Sequence, residues 1–126
     1  MDISSKRIGE PSLVKSESWT ALVDPKVADA EIVVKDALSQ HRAVITVGRC
    51  WVRYVGRASS KLEKGERILI AKADGSVLVH RGTGYEPVNW MPGGDTVFHA
   101  HAKDDVLEVR AVRHRPPESV AVGRLF

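Results

Sequence analysis

The chain has a single cysteine, few aromatic residues and no long apolar run, and each shortage excludes a class of function. With Cys50 alone there is no internal disulfide and no multi-cysteine zinc site. Apolar residues nowhere run for the roughly 18 to 20 positions that a bilayer requires. The opening MDISSKRIGEPS lacks the apolar stretch of a secretory leader, so a reducing, cytoplasmic location is expected. There is no phosphate-binding glycine loop and no serine elbow. A metal-dependent nuclease needs carboxylates to hold the ion and, two residues after an acid, a lysine to orient water. Glu-x-Lys is missing. The one Asp-x-Lys, Asp24-Pro25-Lys26, sits at a helix start, where Asp serves better as a cap. No catalytic residue, metal site or cofactor is expected of this chain by itself.

What is present is an ordinary globular composition, 43% apolar and 28% charged over 126 residues, enough for one core. The net charge of +3 is unevenly spread. Met1–Gln40 holds five Lys/Arg against seven Asp/Glu, whereas His41–Arg115 holds thirteen against eight. The positive excess thus lies on the central region, where an anionic partner such as nucleic acid would be drawn.

Residues 1–24, rich in serine, read as irregular, with SLVKSESWTAL able to lay Trp19 and Leu22 onto a core. Asp24-Pro25 predicts a helix start, and Val27, Ala30, Val34, Ala37 and Leu38 recur at helical spacing, giving one helix over Pro25–Gln40. Strands follow. Arg42–Gly56 is rich in β-branched and aromatic residues, with a bulge expected at Gly56. Arg67–Lys72 and Val77–Arg81 flank Asp74-Gly75, the chemistry of a two-residue hairpin turn, which predicts Ile70 opposite Val79 and Leu69 opposite His80. Thr96–Ala102 and Val106–Arg113 form a second hairpin, Pro116-Pro117 stops it, and Ser119–Phe126 forms a last strand. The expected fold is mainly β with one N-terminal helix: a small, twisted antiparallel sheet forming a half-open barrel over residues 25–126.

Alternation along the long strand sets Arg49, Trp51 and Arg53 on one side and Cys50, Val52 and Tyr54 on the other. The first set is either a track for phosphates and a stacked base or a solvated, dimer-facing surface. A bulge at Gly56 would turn Arg57 toward Tyr54. In EPVNWMPGG, Pro limits the backbone, so Trp90 is presented at low entropic cost beside Asn89, whose amide can pair with a base edge. From the residues alone, Trp90 reads first as a plug for the barrel end. His99 and His101 share a face at a metal-capable spacing, but nothing supplies a third ligand, and a pair of surface histidines is the plainer reading.

Together, CWVRYVGRASS, RILIAKADGSVLVH, EPVNW followed by a proline, and VLEVRAVRHRPPE resemble the N-terminal domain of the NucS (EndoMS) mismatch endonucleases, over about Ala43–Arg115. The resemblance implies a half-open barrel that forms a homodimer and grips mismatched, branched or single-stranded DNA. A separate Mg²⁺-dependent nuclease domain would do the cutting, and a sliding-clamp contact would lie in a tail that this chain lacks. It implies that an unpaired base turns out of the duplex between Tyr54 and Trp90, with Asn89 beside it and Arg57 on the backbone. Arg53, Lys72 and Tyr85 join the DNA contacts. Flipping is least costly where pairing is already broken, which selects mismatches without reading sequence. Under the resemblance, stacking replaces the plug as the reading of Trp90. Tyr85 departs from the basic residue the family is expected to offer there. The chain ends at Phe126, where a nuclease domain would begin, so a truncated piece and a stand-alone relative that binds without cutting are both open. Outside the resemblance, a protein-binding or an RNA-binding barrel fits the same residues.

Overall fold

A computed structural model describes residues 11–16 and 18–126; the serine-rich opening, residues 1–10, lies outside the described residues. The irregular reading of residues 1–24 needs correction over its described part. Ser12–Lys15 (β1) and Thr20–Val23 (β2) pair antiparallel as a hairpin, Ser12 opposite Val23. Ser16 closes the turn: its N–H donates to the Trp19 carbonyl at 2.8 Å, and its hydroxyl oxygen accepts from the N–H groups of Ser18 and Trp19. Strands of four residues are too short for alternation to stand out from a loop. Trp19 stays exposed and Leu22 is half-buried.

The helix α1 is shorter than predicted, Val27–Ser39. Asp24 does not cap it. Asp24 takes φ +49 to turn the chain out of β2, and Lys26 occupies the N-cap position without a side-chain bond. At the other end Arg42 N–H donates to the Ala37 carbonyl at 2.9 Å and His41 N–H to the Leu38 carbonyl at 3.2 Å. This double closure needs a left-handed residue, usually glycine; here it is His41 at φ +54.

Seven antiparallel strands follow: β3 (Val44–Val55), β4 (Ser59–Ala71), β5 (Val77–Arg81), β6 (Asn89–Met91), β7 (Val97–Lys103), β8 (Val106–His114) and β9 (Pro117–Leu125). Their order in the sheet is β6-β5-β4-β3-β9-β8-β7. The sheet curls until β6 comes against β9, and α1 packs across β7 and β8, so the result is the expected half-open barrel.

Two details of register differ from prediction. Ile70 faces Leu78 and Leu69 faces Val79, one residue away from the expected pairing. The loop holds three residues, Ala73-Asp74-Gly75, closed by Lys72 N–H donating to the Ser76 carbonyl at 2.9 Å, with Gly75 at φ +89. A three-residue loop ending in a left-handed glycine is the next commonest hairpin, and it sends Leu69 and Val79 together into the core. The bulge also moves. It lies in β4 opposite Trp51, between the Cys50–Gly65 and Val52–Leu62 pairs, while Gly56 sits in the β3–β4 turn. Because β4 carries the one extra residue, β3 alternates without interruption.

The core is built from the concave face: Cys50, Val52, Leu69, Val77, Val79, Met91, Leu107, Val109, Val120 and Val122, sealed by Ala30 of α1. Side chains as fully buried as Leu69 or Val79 each contribute roughly 1.5–3 kcal/mol. Burial pushes the Cys50 thiol up to about 11, so it serves as a small apolar filler.

Candidate nucleic-acid interface

Beyond the last apolar layer, the concave face turns polar where β3 ends and β9 begins. Tyr54, the final inward residue of β3, donates its hydroxyl to Glu118 Oε2 at 2.7 Å. Glu118 Oε1 accepts from Arg113 Nη1 at 3.1 Å, across the β8–β9 register pair Arg113–Glu118. The bond to Glu118 is the main reason the Tyr54 phenol is held above its ordinary pKa, because that bond is lost when the phenol ionises. The Tyr54 phenol folds back over Gly56, where any Cβ would collide with it. Exposed Arg57 follows in the turn, and its charge is felt at Tyr54. Ser60 is the direct ladder partner of Tyr54, and its hydroxyl oxygen accepts from Asn89 Nδ2 at 3.3 Å. Tyr54, Ser60, Asn89 and Arg57 thus gather at one end of the barrel.

Trp90 has a different setting. Its ladder runs through Leu78 and Ile70 to Ile45, all on the convex face, so register puts the rings of Trp90 and Tyr54 on opposite faces of the sheet. The three-residue strand β6 is an edge, however, with no further strand hydrogen-bonded to it, so Asn89 and Trp90 present adjacent side chains on either side of that edge. Trp90 is 63% exposed and borders a cleft of about 560 Å³ with Lys72, Glu86, Pro87 and Pro92. Tyr85 stands 88% exposed in the preceding loop. Arg53 lies on the convex face, its guanidinium 5.4 Å from the centroid of the Trp51 ring.

The sequence-selected residues therefore fall into four places: Tyr54, Arg57 and Asn89 at the barrel end, Trp90 and Lys72 at the cleft, Arg53 beside Trp51, and Tyr85 alone in the exposed loop. Sequence reasoning missed Glu118, Arg113 and Ser60. A tight hairpin through His114-Arg115-Pro116-Pro117 would have paired Arg113 with Glu118. His99 and His101 face outward on β7, with His101 Nδ1 3.9 Å from Glu31 Oε2. Among the described residues no three His, Cys, Asp or Glu gather as metal ligands, so no carboxylate set here fits the magnesium implied by the resemblance. No helix among them is long and apolar enough to cross a membrane.

Residues 40–123 match the family described as the endonuclease NucS N-terminal PH-like domain. The chain belongs to the NucS family. It is 46% identical over 86 residues to endonuclease NucS 2 of Halobacterium salinarum, covering 68% of this chain and 34% of that protein. It is 36% identical over 109 residues to endonuclease NucS of Thermococcus kodakarensis, covering 86% of this chain and 42% of the relative. A solved EndoMS–dsDNA complex superposes with a TM-score of 0.73 at 30% identity, covering 96% of this chain and 45% of that one. A repair endonuclease from Pyrococcus abyssi superposes at 0.64 with 33% identity, over 81% of this chain and 42% of that one. The chain thus spans about a third to two-fifths of the curated NucS relatives it matches, and corresponds to their N-terminal domain.

Proposed function

We propose that this domain of the NucS family binds mismatched, branched or single-stranded DNA and holds a turned-out nucleobase at the rim formed by β6. The observation that carries the reading is Trp90: a large ring, 63% exposed, on an edge strand next to an amide side chain and above a cleft containing Lys72. A base leaving its helix stacks on Trp90, with the Asn89 amide available to its edge. Tyr54 flanks it from the concave side, so the base sits between the two aromatics around the rim rather than within one face. Arg57, Lys72 and Arg53 contact phosphates, and Tyr85 offers another stacking surface.

The domain is a homodimer in this reading. Its interface is the apolar part of the convex face, where Ile45 and Val47 are 65% and 52% exposed beside Ile68, Ile70 and Leu78. A Mg²⁺-dependent nuclease domain and a sliding-clamp contact belong to a longer NucS protein, working in the cytoplasm. Stacking is worth about 1–3 kcal/mol per base. Trp90→Ala therefore weakens binding to a mismatched duplex by about fivefold to 150-fold while the thermal melt is unchanged. Titration of labelled mismatched duplex, single strand and matching RNA measures this. Equal affinity of parent and variant removes the base site, and a preference for RNA moves the domain to another class.

A further inference from the structure

One line of side chains crosses five strands on the convex face. The ladder pairs Lys61 of β4 with Arg53 of β3, Arg53 with Ala121 of β9, Ala121 with Arg110 of β8, and Arg110 with His99 of β7. Direct partners point to the same face. Lys61, Arg53, Arg110 and His99 consequently form a single row, interrupted only by the methyl group of Ala121. All four are exposed. None of them forms an ion pair with a carboxylate among the described residues.

The ladder lines on either side leave the row open. On one side Trp51 lies over Gly123, where any Cβ would collide with its ring, and Arg53 stacks beside it. Half-buried Glu108 and then His101 continue that line, so one carboxylate borders the row without entering it. On the other side Ser59, Val55, Ser119, Val112 and Val97 are uncharged. Four inter-strand steps extend about 19 Å, about half a turn of duplex. A small anion would need a concave pocket, whereas a row of cations along one ladder line of a convex face fits charges strung along a backbone.

We propose that this row is a second DNA surface, separate from the Tyr54–Asn89 cluster on the concave face, and that it grips the phosphates of duplex flanking the opened base. The proposal rests on the DNA-binding reading above and adds residues to it: Lys61, Arg110 and His99 with Arg53, beside Trp51 and Gly123.

The test compares the whole chain with the triple variant Lys61→Gln/Arg53→Gln/Arg110→Gln, titrated with matched and singly mismatched duplex across a range of salt concentrations. Each duplex phosphate contact contributes about 0.9 to the slope of log affinity against log salt. The triple variant lowers that slope by about 2 to 3 and weakens matched and mismatched duplex alike. A control triple on the helix and hairpin side, Lys15→Gln/Lys26→Gln/Lys35→Gln, removes the same charge and leaves the slope unchanged. If the triple variant does not fold, Arg110→Gln alone lowers the slope by about one. An unchanged slope, or an equal fall in the control, overturns the row while leaving the base site intact. A parent chain that binds no DNA at all overturns the underlying reading and the row with it.

Discussion

The two ends of β3 lie on one strand and one convex face, yet they present opposite surfaces. The first half shows Ile45 and Val47 beside Ile70 and Ile68; the second shows Arg49, Trp51 and Arg53, with Lys61 beside the last. The change coincides with the backbone. At Cys50 the strand acquires β9 as its second neighbour, and opposite Trp51 the bulge in β4 interrupts the ladder. Before that point β3 has β4 on one side and a groove on the other, lined by α1 and β2. An apolar surface left open in this way is the usual mark of association. After it, small residues of β9 fill the space between basic side chains and an aromatic. Hydrophobicity alone would have assigned the whole strand one role.

The largest effect that would break this contrast is expected at Gly123. Gly123→Val drives a side chain into the Trp51 ring and costs about 3 kcal/mol. Trp51→Ala in the same chain restores much of it. Chemical denaturation of the single and double variants reads the coupling, and additive losses would show that the ring does not rest on that glycine.

At the apolar end, Ile45→Glu with Val47→Glu is expected to convert a dimer to a monomer in sedimentation, with the melt lowered by the stability that association adds. If the parent is already a monomer, the assignment of that half of the strand fails.

At the barrel end, Tyr54→Phe removes a hydrogen bond to a charged group and costs about 1.5–3 kcal/mol, less any share that water restores to Glu118. The effect depends on pH in a defined direction. Folding raises the Tyr54 pKa, so the stabilisation is complete below the unfolded phenol's value of about 10 and is lost as pH rises through the higher folded value. The parent therefore loses its advantage over Tyr54→Phe only in strong alkali. A difference between the two that stays constant across that range contradicts the assigned bond.

The smallest expected effect is at His41, just before β3. Its φ of +54 suits glycine, so His41→Gly is expected to stabilise by several tenths of a kcal/mol up to about 1, without changing the salt slope of DNA binding.

How far the sequence could be read follows from the length of each signal. The long strand, the Val106–Arg113 strand and the stop at Pro116-Pro117 were legible because β-branched runs and proline act locally over many residues. The hairpin at Asp74-Gly75 was legible, but its register was not, since the same dipeptide serves loops of two and of three residues. β1 and β2 were hidden by being four residues long. At the candidate site the aromatic identities were legible. The face of Tyr54 was legible too, from alternation along the long strand; that of Trp90 was not, because the four residues between Pro87 and Pro92 carry no usable periodicity. Glu118 and Arg113 escaped notice for a different reason: each is an ordinary surface charge until the β8–β9 register joins them under Tyr54.

The most direct measurement is the emission of Trp90 alone, in a chain carrying Trp19→Phe and Trp51→Phe, during titration with mismatched duplex. Stacking of a base on the Trp90 ring predicts saturable quenching that tracks binding and is weaker with matched duplex. Emission that stays constant while an independent probe reports DNA bound would contradict it.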